Sequence, residues 1–161
     1  MTTRPTPPTL PAFDPMSVSS QSLSNYPAAF QALVGGRHRR ALGDAAGLNT
    51  FGVNLTRLEP GAASAQRHWH TLQDEFVYIL EGEATLVTES GEQTLTPGMA
   101  AGFPAGLADG HHLVNRGATD VLYLEVGDRT VGDEVDYPDI DLKRGLRDGK
   151  ACFVHDDGTP Y

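Results

Sequence analysis

Two short histidine clusters, each set in strand-like sequence and bounded by glycine and proline, occupy the stretch from Pro60 to Asn115. The first holds His68-Trp69-His70, followed by Glu75. Residues two apart on a β-strand project to the same face, so both imidazoles serve one cavity, with Trp69 on the other side, only where the segment is extended. On a helix the same spacing splays the rings by about 200°, from the 3.6-residue period. The surrounding sequence favours the strand. Glu75-Phe76-Val77-Tyr78-Ile79-Leu80 is rich in β-branched and aromatic side chains, Glu81-Gly82-Glu83 reads as a tight turn, and Ala84 to Thr88 as the return strand.

The second cluster begins at the turn Leu95-Thr96-Pro97-Gly98. Met99 to Phe103 reads as a short strand closed by Pro104-Ala105-Gly106, and His111-His112-Leu113-Val114-Asn115 as another. His111 supplies a third imidazole. Asn115 shares its face, four residues on, and is expected to orient it by hydrogen bonding. His112 alternates to the opposite face, as a surface or packing histidine. A lone His-x-His is as readily a pair of surface residues; the second cluster is what favours a shared site. His68, His70, Glu75 and His111 together mix imidazole nitrogen with carboxylate oxygen. That set suits one divalent transition metal, with Fe, Mn, Ni and Zn all compatible.

Together the clusters resemble the two motifs of the cupin superfamily. Four residues separate His70 from Glu75 and six separate Glu75 from Gly82, as in the family's first motif, while six residues separate Gly61 from His68 where the family has five. Gly98, Pro104 and Gly106 fit the second motif; four residues rather than two then precede His111, and His111 to Asn115 fits. The insertion keeps His112 open as an alternative to His111, and Asp74 stands as an alternative to Glu75. The resemblance spans roughly 49–126. It implies an all-β, antiparallel jelly-roll barrel (a double-stranded β-helix), a metal site and a homodimer.

The remaining sequence is compatible with that architecture. Short strands punctuated by glycine and proline argue independently for an antiparallel sandwich or barrel. At 161 residues the chain is expected to be one domain over 27–161, with core motifs at 49–126, a C-terminal extension at 127–161 and a Pro/Ser-rich arm over 1–26. Met1 to Pro15 contains five prolines and reads as an extended tail. Pro27 to Val34 reads either as a short helix or as an irregular arm across the barrel, and Arg37 to Leu42 as the first strand, followed by a loop over Gly43 to Gly47. In Asn49 to Leu58, Phe51, Val53, Leu55 and Arg57 share one face and Gly52, Asn54, Thr56 and Leu58 the other. Asn54 and Thr56 therefore either line a cavity or face water. Val121 to Val126 is an apolar strand, Tyr137 to Leu142 an extended segment, and Ala151 to His155 a last strand. The single cysteine, Cys152, cannot form an internal disulfide.

Charge and hydropathy exclude some partners. The net charge is −9, which opposes nucleic-acid binding, and the one basic run, Arg37-His38-Arg39-Arg40, reads as a solvated edge. With no long apolar run and no secretory start, the expectation is a cytoplasmic protein without membrane contact. The expected partner is a small polar molecule. An iron centre would suit a dioxygenase; manganese, nickel or zinc would suit an isomerase or decarboxylase. No acid–base residue is evident beyond Tyr78, Asn54, Arg57 and Glu83 as places to look, which keeps open a non-catalytic binding or sensing module of the same fold.

Overall fold

A computed structural model describes residues 11–161. Of the tail expected over Met1 to Pro15, the first ten residues lie outside the described part. Strand-forming segments separated by turns build an almost entirely antiparallel β-structure. A five-stranded sheet runs in the order β1-β2-β9-β4-β7, from β1 (Arg37–Ala41), β2 (Phe51–Leu58), β9 (Val121–Asp128), β4 (Glu75–Glu81) and β7 (Ala100–Phe103). Facing it, β5 (Ala84–Thr88) lies between β6 (Gly91–Leu95) and β8 (His112–Val114). A third sheet joins β3 (Trp69–His70) to the C-terminal strands β10 (Val135–Tyr137), β11 (Leu142–Arg147) and β12 (Lys150–Val154), in the order β12-β11-β10-β3. Isolated bridges, Ala63 to Val114 and His68 to His111, connect this sheet to β8 and complete the second wall of the jelly roll.

Alternation along these strands separates interior from exterior. Leu58, Val77, Ile79, Leu86, Leu113, Val121 and Tyr123 form one buried apolar cluster. Tyr26, Val34, Val135, Tyr137 and Leu142 form a second, beneath the C-terminal sheet. The space between them becomes the cavity described below. Gly82 closes the β4–β5 hairpin at φ +75°, and a Cβ there would stand 2.3 Å from the Asp120 carbonyl oxygen. A side chain at this position is excluded both by the backbone angle and by the neighbouring chain.

Several local expectations are corrected. Leu42 to Ala45 forms a single helical turn, α1, where the first strand was expected to end at Leu42 and a loop to follow over Gly43 to Gly47. Pro27 to Val34 resolves into two 3-10 turns, Ala28–Phe30 and Ala32–Val34. Residues 138–141 turn the chain from β10 into β11 instead of continuing as an extended segment. The basic run is only half solvated. Arg37 and Arg39 point inward and Arg37 is buried, while Arg40 points outward and donates to the backbone carbonyls of Met16 and Val18. Gln21 pairs with Arg39, so the segment before β1 covers the edge of the sheet.

Candidate metal centre

The two histidine clusters meet through their backbones. His68 N–H donates to the His111 carbonyl at 3.2 Å, and His111 N–H donates to that of His68 at 2.9 Å. The turn after β7 braces the same strand, with Gly106 N–H donating to the His70 carbonyl at 2.8 Å. Glu75 enters from the opposite sheet, at the start of β4. Its Oε2 lies 2.9 Å from His111 Nε2, 3.3 Å from His68 Nε2 and 3.5 Å from His70 Nε2. The donor atoms of His68, His70 and Glu75 all lie within 4.8 Å of one another, and His111 joins them through Glu75.

Hydrogen bonding fixes how the rings present themselves. Each Nδ1 faces an acceptor: the Gln66 carbonyl for His68 at 2.9 Å, Asp133 Oδ2 for His70 at 2.6 Å, and the Asp109 carbonyl for His111 at 3.2 Å. A carbonyl oxygen or an ionised carboxylate can only accept, so each Nδ1 carries the proton. In the neutral rings this leaves three Nε2 lone pairs and one carboxylate aimed at one point. Such a set is self-repelling unless a cation or extra protons sit among its members. Two ligands each about 2.1 Å from one ion stand about 3.0–3.4 Å apart at octahedral or tetrahedral angles, close to the separations found here. The residues therefore fit a mononuclear divalent metal.

Burial and charge act together on the same groups. Burial alone would lower the pKa of His70, but Glu75 and Asp133 outweigh it and raise the value to about 9. Burial likewise opposes ionisation of Glu75, and His111, His68 and His70 overcome it, holding the carboxyl well below its ordinary range. Phe103 stacks flat on His111, with ring centroids 3.6 Å apart, and fixes its plane.

The alternatives left open by the sequence fall elsewhere. His112 hydrogen-bonds the Ala65 carbonyl at 3.0 Å through Nδ1. Asp74 Oδ1 accepts from Ala105 N–H at 2.7 Å. Neither touches the cluster. Asn115 is fully buried but does not orient His111; its amide donates to the Leu58 and Thr119 carbonyls at 2.9 and 2.8 Å, tying a turn at the other end of the barrel.

The cluster opens into a cavity of about 380 Å³, lined from both core clusters and by Arg37, Arg39, Arg129 and Arg144. Asn54 faces this cavity, which decides the ambiguity in β2, while Thr56 on the same face is fully buried. Tyr78 points outward, and Arg57 pairs with Asp120 at 2.6 Å on the exterior. The carboxylate that the sequence reading missed is Glu125. It projects inward from β9 in phase with Val121 and Tyr123, and Asn54 Nδ2 donates to its Oε1 at 3.0 Å. Arg39 Nε stands 2.6 Å from the same oxygen, and Tyr123 O–H donates to Oε2 at 3.3 Å.

The family model described as Cupin domain matches residues 54–127. The crystal structure of a sugar phosphate isomerase of the cupin superfamily from Silicibacter pomeroyi DSS-3 superposes with a TM-score of 0.90 at 43% identity, over 94% of this chain and 96% of the other. This chain belongs to the cupin superfamily. A candidate sugar phosphate isomerase from Acidithiobacillus ferrooxidans ATCC 23270 is 33% identical to this cupin, with a TM-score of 0.71, over 79% of this chain and 82% of its own. A polyketide cyclase from Streptomyces resistomycificus shares the fold at 20% identity and a TM-score of 0.60, over 73% of this chain and 78% of its own. No curated protein matches the sequence. Among the described residues, no helix is long and apolar enough to cross a membrane.

Proposed function

We propose that this cupin is a metal-dependent enzyme that isomerises a small phosphorylated sugar, with His68, His70, Glu75 and His111 as the metal ligands. The observation that carries the reading is a second carboxylate, Glu125, facing the same cavity as the four donors. In the β4–β9 register Glu125 lies opposite Val77, and Glu75 opposite Gly127. The two carboxylates are thus diagonal neighbours on one face, with backbones roughly 7–8 Å apart. The similarity to the two sugar phosphate isomerase structures supports the substrate class, and the cavity arginines suit an anion.

Interconversion of an aldose and a ketose moves one proton from C2 to C1 and a second from the C2 hydroxyl to the former carbonyl oxygen on C1. A divalent ion in such a site stabilises negative charge developing on a substrate oxygen. The chain's residues supply the rest. Arg39 and Asn54 hold Glu125 through Oε1, and Oε2, which accepts from the Tyr123 hydroxyl, keeps a second lone pair to take the proton from one carbon and return it to the next. Burial and the neighbouring Glu125 keep the Tyr123 hydroxyl protonated well beyond its ordinary range, so it remains a donor. A binding module without chemistry is the reading expected if no acid–base group faced the donors; Glu125 argues against it.

Aldose phosphates incubated with the enzyme in D₂O test the reading. Turnover with deuterium incorporated at the carbon beside the carbonyl is expected, abolished by chelation and restored by a divalent metal. Turnover indifferent to chelation, or ligand binding with no exchange and no product, would count against it.

We also infer a homodimer. The outer face of the five-stranded sheet carries the rows Val53–Val126–Phe76 and Leu55–Leu124–Tyr78; Leu55 is buried, and Phe76 and Tyr78 are 43% and 39% exposed. Large exposed apolar patches mark interaction surfaces. Sedimentation equilibrium should give twice the 17.2 kDa chain mass, and Phe76→Glu/Tyr78→Glu should give one chain. A wild-type monomer at micromolar concentration would remove the inference.

A further inference from the structure

The four arginines of the cavity differ in what already occupies them. Arg37 donates to the Ser64 carbonyl at 2.6 Å, Arg39 pairs with Glu125, and Arg129 pairs with Asp44 and reaches the Leu48 carbonyl. Arg144 alone has no hydrogen bond or ion pair among the described residues. Its position is set by register. His70 pairs with Val135, Val135 with Arg144, and Arg144 with Phe153. These residues form one row across the C-terminal sheet, and all line the cavity. Aromatic side chains flank the arginine, with Tyr137 one alternation along β10 from Val135 and Phe153 beside it on β12. A half-buried guanidinium against aromatic walls has lost part of its hydration and gained no anion in return.

We propose that Arg144 anchors the phosphate of the substrate at the end of the cavity opposite the metal ligands. The inference rests on the sugar phosphate reading given above and assigns the residue that recognises the anion. Arg144 and His70 lie two strands apart, about 10 Å between backbones at about 4.8 Å per strand. With both side chains standing off the same face, that separation matches an extended aldose phosphate, its carbonyl end at the histidines and its phosphate at the guanidinium. A guanidinium presents a planar fork that binds phosphate through two parallel hydrogen bonds. The family model ends at residue 127, so this anchor belongs to the C-terminal extension and not to the shared motifs.

Titration calorimetry on the full chain, metal-loaded and metal-free, tests the assignment with glyceraldehyde 3-phosphate, ribose 5-phosphate and glucose 6-phosphate, and with ribose and glucose as phosphate-free controls. Arg144→Gln should weaken the best phosphorylated probe by roughly ten- to a hundredfold, the loss of charge-assisted hydrogen bonds, and leave metal stoichiometry and melting temperature unchanged. KM should rise with kcat little altered, and Arg144→Lys should recover part of the affinity. Unchanged affinity in Arg144→Gln would overturn the anchor and leave the sugar phosphate reading standing. If wild-type protein binds none of the phosphorylated probes, or binds them no better than the free sugars, both fall.

Discussion

Replacing His70 by alanine is expected to lower affinity for a divalent transition metal by about a hundredfold or more, and Asp133→Asn by about ten- to a hundredfold, the range for groups that orient a ligand. Asp133 is the less obvious of the two. Its Oδ2 accepts from His70 Nδ1–H at 2.6 Å, and its Oδ1 accepts from the backbone N–H groups of Leu72 and Gln73 at 2.9 and 3.3 Å. It therefore fixes both the tautomer of His70 and the loop that follows it. The pH dependence follows from the same contacts. Without metal, His70 is protonated up to about pH 9. Its raised value contributes stability that is full below its ordinary value of about 6.5 and is lost as pH rises through about 9. Glu75, held low, contributes stability present above its ordinary 4.5 and lost as pH falls through its depressed value. Metal must displace the His70 proton, so affinity should climb by up to about tenfold per pH unit until about pH 9. Competition against a chromophoric chelator at several pH values measures both effects. In His70→Ala the climb should flatten. Wild-type affinity in that variant would remove His70 from the ligand set.

That contrast between His70 and Asp133 reflects what a sequence can display. The His68–His70 pair is legible because a strand repeats every two residues, so facing side chains are local in sequence. The same rule separated the two faces of β2, though not which of them turns inward, and gave the β4–β5 hairpin. It also applies to Arg37 and Arg39, but a run of cations reads as a solvated edge unless the interior holds an acceptor, and here the acceptors are Ser64 and Glu125. Glu125 left a faint mark: one carboxylate on the inward face of an apolar strand, where a polar residue calls for a partner. Asp133 left none. It lies 63 residues from His70, and only the pairing of β10 with β3 brings them together. Asn115 shows the reverse case. Spacing put it on the same face as His111, yet the chain turns immediately after it and consumes its amide. In the extension after residue 127, with few periodic apolar residues, only the last strand was legible; β10, β11 and their part in the wall of the cavity were not.

Glu125→Gln should lower kcat/KM by about 10²–10⁴-fold, the usual contribution of a positioned general base, with metal content unchanged. The amide keeps an oxygen that can still accept from Asn54, so the cavity wall should largely hold its shape; what disappears is the charge and the ability to take a proton. A purely structural Glu125 predicts a different outcome. Arg39 Nε has no other partner among the described residues, so losing its counter-ion would show chiefly as a lower melting temperature and only a modest change in rate. A further readout separates these cases. Exchange of the substrate proton with D₂O should vanish in Glu125→Gln even where binding persists. Glu125→Asp keeps the charge on a shorter arm and should restore exchange in part. Full exchange in Glu125→Gln would place the base elsewhere in the cavity. Glu75 is a poor substitute, because three imidazoles at 2.9–3.5 Å already surround the oxygen it would have to use.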